Sequence, residues 1–191
     1  MASLVLSGDT SGSITVSAPA VAGSNTQTLV ATTGTLAPIV SGTAVTASGT
    51  SVDFTGIPSW VKRITVLFQG VSTNGSSGIL IQIGAGSVTS SGYLASGSSI
   101  ASTVGSSNYT TGFGIGQTTQ AAAFVRQGMA SLTTAASNIW FFNGLLGQSD
   151  QGQTLTGGGT LALGGTLDRV RITTVNGTDT FDAGTINILY E

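Results

Sequence analysis

Cysteine and histidine are absent from this 191-residue chain, and charge is scarce: five basic and seven acidic residues make up 6% of the sequence. An average soluble protein carries roughly 25% charged residues. Without thiols or imidazoles there is no disulfide framework, no thiolate zinc site, no Ser-His-Asp triad and no Cys-His pair, and no cofactor is implied. Five scattered cations and a net charge of −2 leave no basic footprint for nucleic acid or an anionic lipid surface. Long apolar runs are missing too. Mean hydropathy is +0.37, yet nothing approaches the ~18–20 residues of a membrane-spanning helix. The strands of an outer-membrane barrel need ~9–11 residues, a length only Trp60–Gln69 reaches, so membrane insertion is not expected. The opening MASLVLSGDTSG lacks the charged start and long apolar stretch of a signal peptide, and export by the general route is not expected.

What fills the chain instead is 29 glycines and 55 serines and threonines. Disorder combines low hydrophobicity with high net charge, and neither holds here. A small soluble domain usually keeps about 25–35% of its surface charged to stay dispersed. This chain cannot, so its surface is either hydroxyl and amide or is covered by copies of itself. The composition predicts a folded, all-β, oligomeric protein.

The residues divide into two segments. Residues 1–48 contain no aromatic ring and one charge, Asp9, whereas residues 49–191 hold every Trp, Tyr and Phe and the other eleven charges. Aromatic rings supply much of the area a core buries, so 49–191 can build its own core. In 1–48, Leu4-Val5-Leu6, Ser13–Ser17 and Thr26–Val30 read as short strands, the second with clean period-two alternation, punctuated by Pro19, Gly34 and Pro38. Three strands of small residues bury too little to stand alone. Threefold association would bury them; a flexible Ser/Thr/Gly linker is the alternative.

Residues 49–191 read as short strands with regular turn signals, the pattern of an antiparallel β-sandwich of the jelly-roll kind. Ser51–Phe54 opens it. In Trp60–Gln69, Ile64, Val66 and Phe68 share one face. Asn74-Gly75 reads as a type I′ turn leading to a central strand at Ile79–Ile83. Residues 84–120, rich in Gly and Ser, read as a long loop with one strand near Tyr109–Ile115. Ala121–Met129 is predicted as strand. Asn138–Phe142 is bulky on both faces, which predicts cover on both. Asp168–Val175 alternates, with Val170 and Ile172 inward and Arg169 and Arg171 on the opposite side. Asn176-Gly177 turns the chain, Thr178–Phe181 is placed to pair back, and Gly184–Glu191 closes as a strand.

Few residues are equipped for chemistry. Asp179 and Asp182 are the closest carboxylates in sequence, but an aspartate beside Gly or Thr is first a turn former, and a glycosidase pair or calcium loop needs more than this stretch offers. A glycan-depolymerising enzyme is therefore the weakest reading. Lys62, Arg63, Asp168, Arg169 and Arg171 are expected in ion pairs, either between strands or at a subunit interface, where Arg is favoured. Gly112–Gly116 and Gly157–Gly159 lack the strand-to-helix context of a dinucleotide fingerprint and read as turns or close backbone approaches. Tyr93 and Tyr109, isolated in polar sequence, could stack on a host glycan or simply anchor the loop.

Leu6–Val16 (LSGDTSGSITV), Ala18–Gly23 and Thr32–Leu36 resemble a segment found in many tailed-bacteriophage fibre and virion proteins. Thr55–Val66, Gly70–Gly75, Leu167–Thr173 and Ile186–Glu191 resemble a phage tail-fibre C-terminal module. Together these stretches make up 53 of the 191 residues and include both ends of the chain. The resemblance implies a homotrimeric, β-structured fibre or spike of the virion, assembled in the bacterial cytoplasm. Residues 1–48 would meet other virion proteins, and residues 49–191 would form a head that can touch a host surface glycan. A capsid decoration protein or head fibre is the alternative on the same particle. No catalytic residue is carried over.

Overall fold

A computed structural model of the protein describes residues 3–7, 11–17, 38–136 and 138–191. The chain divides into two compact units, Met1–Leu36 and Ala37–Glu191. In the first, β1 (Ser3–Ser7) and β2 (Ser13–Ser17) pair antiparallel as a hairpin, with Ser7 opposite Ser13. Gly12, just before β2, has a left-handed φ of 78°, which glycine adopts without strain. Val5, Leu6 and Val16 are more than half exposed, so this hairpin leaves apolar side chains without cover. The strand expected at Thr26–Val30 lies outside the described residues.

The second unit is all-β. Its strands are β3 (Val40–Ser41), β4 (Val45–Thr46), β5 (Ser51–Thr55), β6 (Arg63–Thr73), β7 (Ile79–Ala85), β8 (Ser87–Val88), β9 (Leu94–Ile100), β10 (Val104–Tyr109), β11 (Phe113–Gly114), β12 (Arg126–Ala136), β13 (Ile139–Gln148), β14 (Gln153–Ala162), β15 (Arg169–Thr174) and β16 (Phe181–Tyr190). Four antiparallel pairings nest inside one another: β3 and β4 with β16, β5 with β15, β6 with β12, and β7 with β11. A long antiparallel ribbon wrapped over itself gives this order, which is that of a jelly roll. The larger sheet runs β10-β9-β14-β13-β12-β6-β16-β3, with β4 also on β16; the smaller runs β11-β7-β15-β5, with β8 on β7.

Alternation in the sequence explains the core. Ile64, Val66 and Phe68 of β6 face Ile186 and Ile188 of β16 and Ala130 and Leu132 of β12 in register. Ile79, Ile81 and Ile83 of β7 lie beside Val170 and Ile172 of β15 in the opposing sheet, and all of these side chains are buried in one apolar cluster. Phe113 from the smaller sheet stacks on Phe142 from the larger, with ring centroids 4.8 Å apart and planes 9° from parallel.

Several sequence expectations are corrected. Residues 37–48 belong with the second unit: β3 and β4 pair with β16 and Ala47 is buried, so the boundary sits near residue 37 rather than 48. Asn74-Gly75 and Asn176-Gly177 do not close hairpins. β6 and β7, like β15 and β16, lie in different sheets, and neither Asn74 nor Gly75 has the positive φ that a type I′ turn demands. Residues 121–125 form no strand and β12 begins at Arg126, while Trp60 precedes β6. The side of β13 carrying Phe141 is exposed among the described residues, so cover on both faces is not found there.

The largest correction concerns residues 84–120, which contain the β9–β10 hairpin. β9 and β10 come from the connection between β7 and β11, and β13 and β14 from the connection between β12 and β15. Together they widen the larger sheet beyond β12. Phe142, Leu146 and Leu155 continue the core on β13 and β14, but along β9, on part of β10 and at Gly144 and Gly157 the inner face holds glycine and serine where apolar residues are usual. Gly144, Gly157 and Gly97 stand in register across β13, β14 and β9, and the chain after β11 lies directly against this glycine row. Gly116 N–H donates to Thr156 O at 3.0 Å. Gln117 N–H then donates to Ser99 Oγ at 3.2 Å and Thr118 N–H to Ser107 Oγ at 3.1 Å. A Cβ on Gly157 would stand 2.2 Å from Gly114 O, and one on Gly97 2.5 Å from Gly116 O.

Gly157→Val is therefore expected to destabilise the domain by about 1–3 kcal/mol through overpacking. Gly158→Ala points outward, where its Cβ would meet nothing closer than 3.8 Å, and is expected to be neutral or slightly stabilising. Urea unfolding of both variants checks the contrast.

Candidate functional site

Tyr93 and Tyr109 are interior residues. Tyr93 is 1% exposed and Tyr109 3%. The Tyr93 hydroxyl donates to Thr89 O at 2.9 Å and accepts from Ile83 N–H at 2.8 Å. Its ring meets Phe113 edge-on at 4.8 Å. Tyr109 donates to Gly116 O at 2.9 Å, and its ring lies so close to Gly114 that a Cβ there would be 2.1 Å from it. Burial pushes the Tyr93 phenol up to about 12 and raises that of Tyr109 as well. The expectation that these rings stack on a sugar is corrected: their faces and hydroxyls are already used, fastening the crossing segment between the sheets.

The charged residues expected in ion pairs lie on β5, β6 and β15 and beside their ends. Arg171 and Asp53 face each other across β15 and β5 in a two-pronged pair, Nε to Oδ1 at 2.7 Å and Nη2 to Oδ2 at 2.8 Å. Arg169 pairs with its neighbour Asp168, Nε to Oδ1 at 2.8 Å, and the same carboxylate accepts from Gly86 N–H at 3.1 Å. Arg63 pairs with Glu191. All three pairs are partly exposed, and such pairs contribute about 0–1 kcal/mol each. Lys62 enters none of them; its backbone N–H donates to Glu191 O at 2.7 Å.

Asp179 and Asp182 both accept hydrogen bonds from neighbouring residues. Asp179 accepts from Asn176 Nδ2 at 2.7 Å and from Ser77 N–H at 2.8 Å, and these bonds hold its carboxyl below the usual carboxylate range. Gly75 is required beside it, because a Cβ there would strike the carboxylate. Asp182 accepts from Ser72 Oγ.

Sequence reasoning missed Arg126, the only fully buried cation among the described residues. Its Nε and Nη2 donate to Gln120 Oε1 at 3.1 and 2.8 Å, and Nη1 donates to Phe124 O at 3.1 Å. Gln148 Nε2 reaches the same Gln120 oxygen at 3.3 Å. Burial lowers the guanidinium to about 10, opposed by the fields of Asp150 and Asp182. This cluster ties the β11–β12 connection to the ends of β12 and β13. A lone arginine inside AAAFVRQGM was the available signal.

Two outer surfaces remain for partners. On the smaller sheet a polar groove of about 430 Å³ is bordered by Gln82, Ser90, Thr111, Arg171, Thr173 and Asn176. It offers amide, hydroxyl and guanidinium groups for hydrogen bonding. On the widened sheet the outer face is uncharged over β13, β14, β9 and β10 and carries exposed Leu94, Phe141 and Leu145.

Tyr109→Phe is expected to cost about 1–2 kcal/mol, because Gly116 O loses a buried donor; chemical denaturation measures it. The Asp179 carboxyl titrates lower folded than unfolded, so the unfolded chain binds the proton first as pH falls. Its contribution is full above about pH 4 and is lost as the pH drops through the folded value. Asp179→Asn should flatten the acid side of the thermal midpoint against pH. No protein-family model, curated protein or solved structure matches this chain.

Proposed function

We propose that this chain is a structural protein of a bacteriophage virion, a homotrimeric fibre or spike whose β1–β2 unit attaches to the particle and whose jelly roll projects from it. The observation that carries the reading is modular. A small hairpin unit that leaves Val5, Leu6 and Val16 exposed is joined to a compact jelly roll with its own core. The first needs a partner to bury its apolar residues, and the second does not. The resemblance of both ends of the chain to phage fibre segments points the same way.

The head is proposed to contact the host through the polar groove around Gln82, Arg171 and Asn176. Its hydrogen-bonding groups suit a neutral surface glycan, whose hydroxyls both donate and accept. Arg171 is held there by Asp53, so its fork is fixed before any ligand arrives.

Electron microscopy of particles carrying a label on Glu191 is expected to show density at the tail; density over the capsid shell would replace the tail fibre with a head fibre or decoration protein. An excess of the purified chain is expected to slow phage adsorption several-fold, and Arg171→Ala to weaken that competition. Unchanged adsorption would remove the receptor role and leave the architectural one.

A further inference from the structure

The outer face of the widened sheet differs from the rest of the domain surface. Register places Leu67, Met129 and Leu145 side by side on β6, β12 and β13. Phe141 and Leu94 lie in a second row, separated by Thr160 of β14. Met129 and Leu145 are each more than half exposed, and Leu94 is 75% exposed. Beside Leu145 the surface dips into a depression of about 290 Å³ bordered by Ser96, Ser98, Asn143, Thr156 and Gly158. No charged residue occurs between Arg63 and Arg126, between Arg126 and Asp150, or between Asp150 and Asp168. Arg126 is buried, so the charges that border these strands stand at their ends: Lys62, Arg63 and Glu191 beside the start of β6 and Asp150 in the β13–β14 turn.

We infer that this face, centred on Met129 and Leu145, is where a second copy of the chain docks. The inference rests on the self-assembly in the reading above and names the surface responsible. Two observations select the occupant. The first is charge: the face offers nothing for a charged partner to pair with, whereas a chain with 6% charged residues presents the same uncharged surface in return. The second is area. Six neighbouring strands, β6 to β10 in sheet order, at ~4.8 Å spacing and about seven residues of ~3.3 Å rise, cover roughly 650 Å². That is close to the ~800 Å² each partner gives to a standard interface. The layout fits as well, with apolar side chains at the middle and hydroxyls, amides and the few charges at the rim. Protruding Met129 and Leu145 beside a shallow depression make the face complementary to its own kind. Around the threefold axis of a trimer the residues nearest the axis, here Met129 and Leu145, approach their equivalents in the other copies.

The test is sedimentation equilibrium of the full chain at micromolar concentration, with circular dichroism to verify folding. The unmodified chain is expected to associate, and the double variant Met129→Glu/Leu145→Glu to weaken association by at least ~100-fold, because like charges would meet across the interface. A folded double variant that associates as before overturns this face and leaves self-assembly standing. An unmodified chain that stays monomeric overturns both. If the double variant does not fold, Leu145→Cys decides. The chain has no other cysteine, so mild oxidation should link two copies through this face, while Thr55→Cys on the smaller sheet should not link. Absence of the Leu145→Cys crosslink, or equal crosslinking at both positions, overturns the inference.

Discussion

Backbone groups inside a protein need partners as much as side chains need contacts, and that demand governs how the two sheets meet. Over most of the interface they meet through interlocking isoleucines, valines and phenylalanines. Beyond β12 the arrangement changes, because the segment from Phe113 to Thr118 leaves the smaller sheet and crosses the larger one. Polypeptide thus lies where a side-chain layer would be, and each exposed N–H has to be answered. Thr156 answers Gly116 through its carbonyl; Ser99 and Ser107 answer Gln117 and Thr118 through their hydroxyls. Gly144, Gly157 and Gly97 supply the clearance. Without that row the strands β9 and β10 would stand too far from the crossing segment to satisfy it.

The same economy governs the polar side chains of the interior. Tyr93 and Tyr109 each combine a ring that fills space with a hydroxyl that ties down a carbonyl, the amphipathic use to which buried tyrosine is suited. Arg126 does this with charge: its aliphatic stem is enclosed, while its guanidinium gathers Gln120 and the Phe124 carbonyl. Interior charge and surface charge are thus separated by role. The exposed pairs link neighbouring strands at Asp53 and strand ends at Asp168 and Glu191, and the broad middle of the larger sheet is left to hydroxyls and hydrocarbons.

Where apolar residues alternate, the sequence announced the structure. β2, β5, β6, β7 and β15 lie close to where period-two patterning places them, and Val170 and Ile172 face inward as the pattern requires. Where the inner face is made of Gly and Ser, as in LASGSSI and VGSSNY, periodicity has nothing to register, and two real strands read as loop. Their partner is backbone, which selects for small and hydroxylated residues instead of large apolar ones. Asn74-Gly75 misled for a related reason, although Asn176-Gly177 does turn the chain: a turn signal marks a change of direction, and a chain crossing between sheets changes direction as sharply as a hairpin does. The candidate site was the least legible. Nothing in a one-dimensional pattern separates a tyrosine that offers its ring to solvent from one whose ring closes over Gly114, and a solitary Arg126 gives no hint that Gln120 and Gln148 converge on it.

The outermost of the nested pairings joins Val40–Ser41 to Leu189–Tyr190, the beginning of the domain to its end. During synthesis this has a cost in time. β6, whose Ile64, Val66 and Phe68 anchor the larger sheet, has β16 as one of its two neighbours, and β16 is made after every other strand of that sheet. The nascent domain therefore stays open along that edge until Phe181–Tyr190 has cleared the ribosome, a condition in which unpaired apolar strands invite aggregation. A cell making many copies at once would hold many such half-built sheets close together. The serine, threonine and glycine that dominate the intervening sequence then act as protection in transit, because strands poor in large apolar residues are slow to pair with the wrong neighbour.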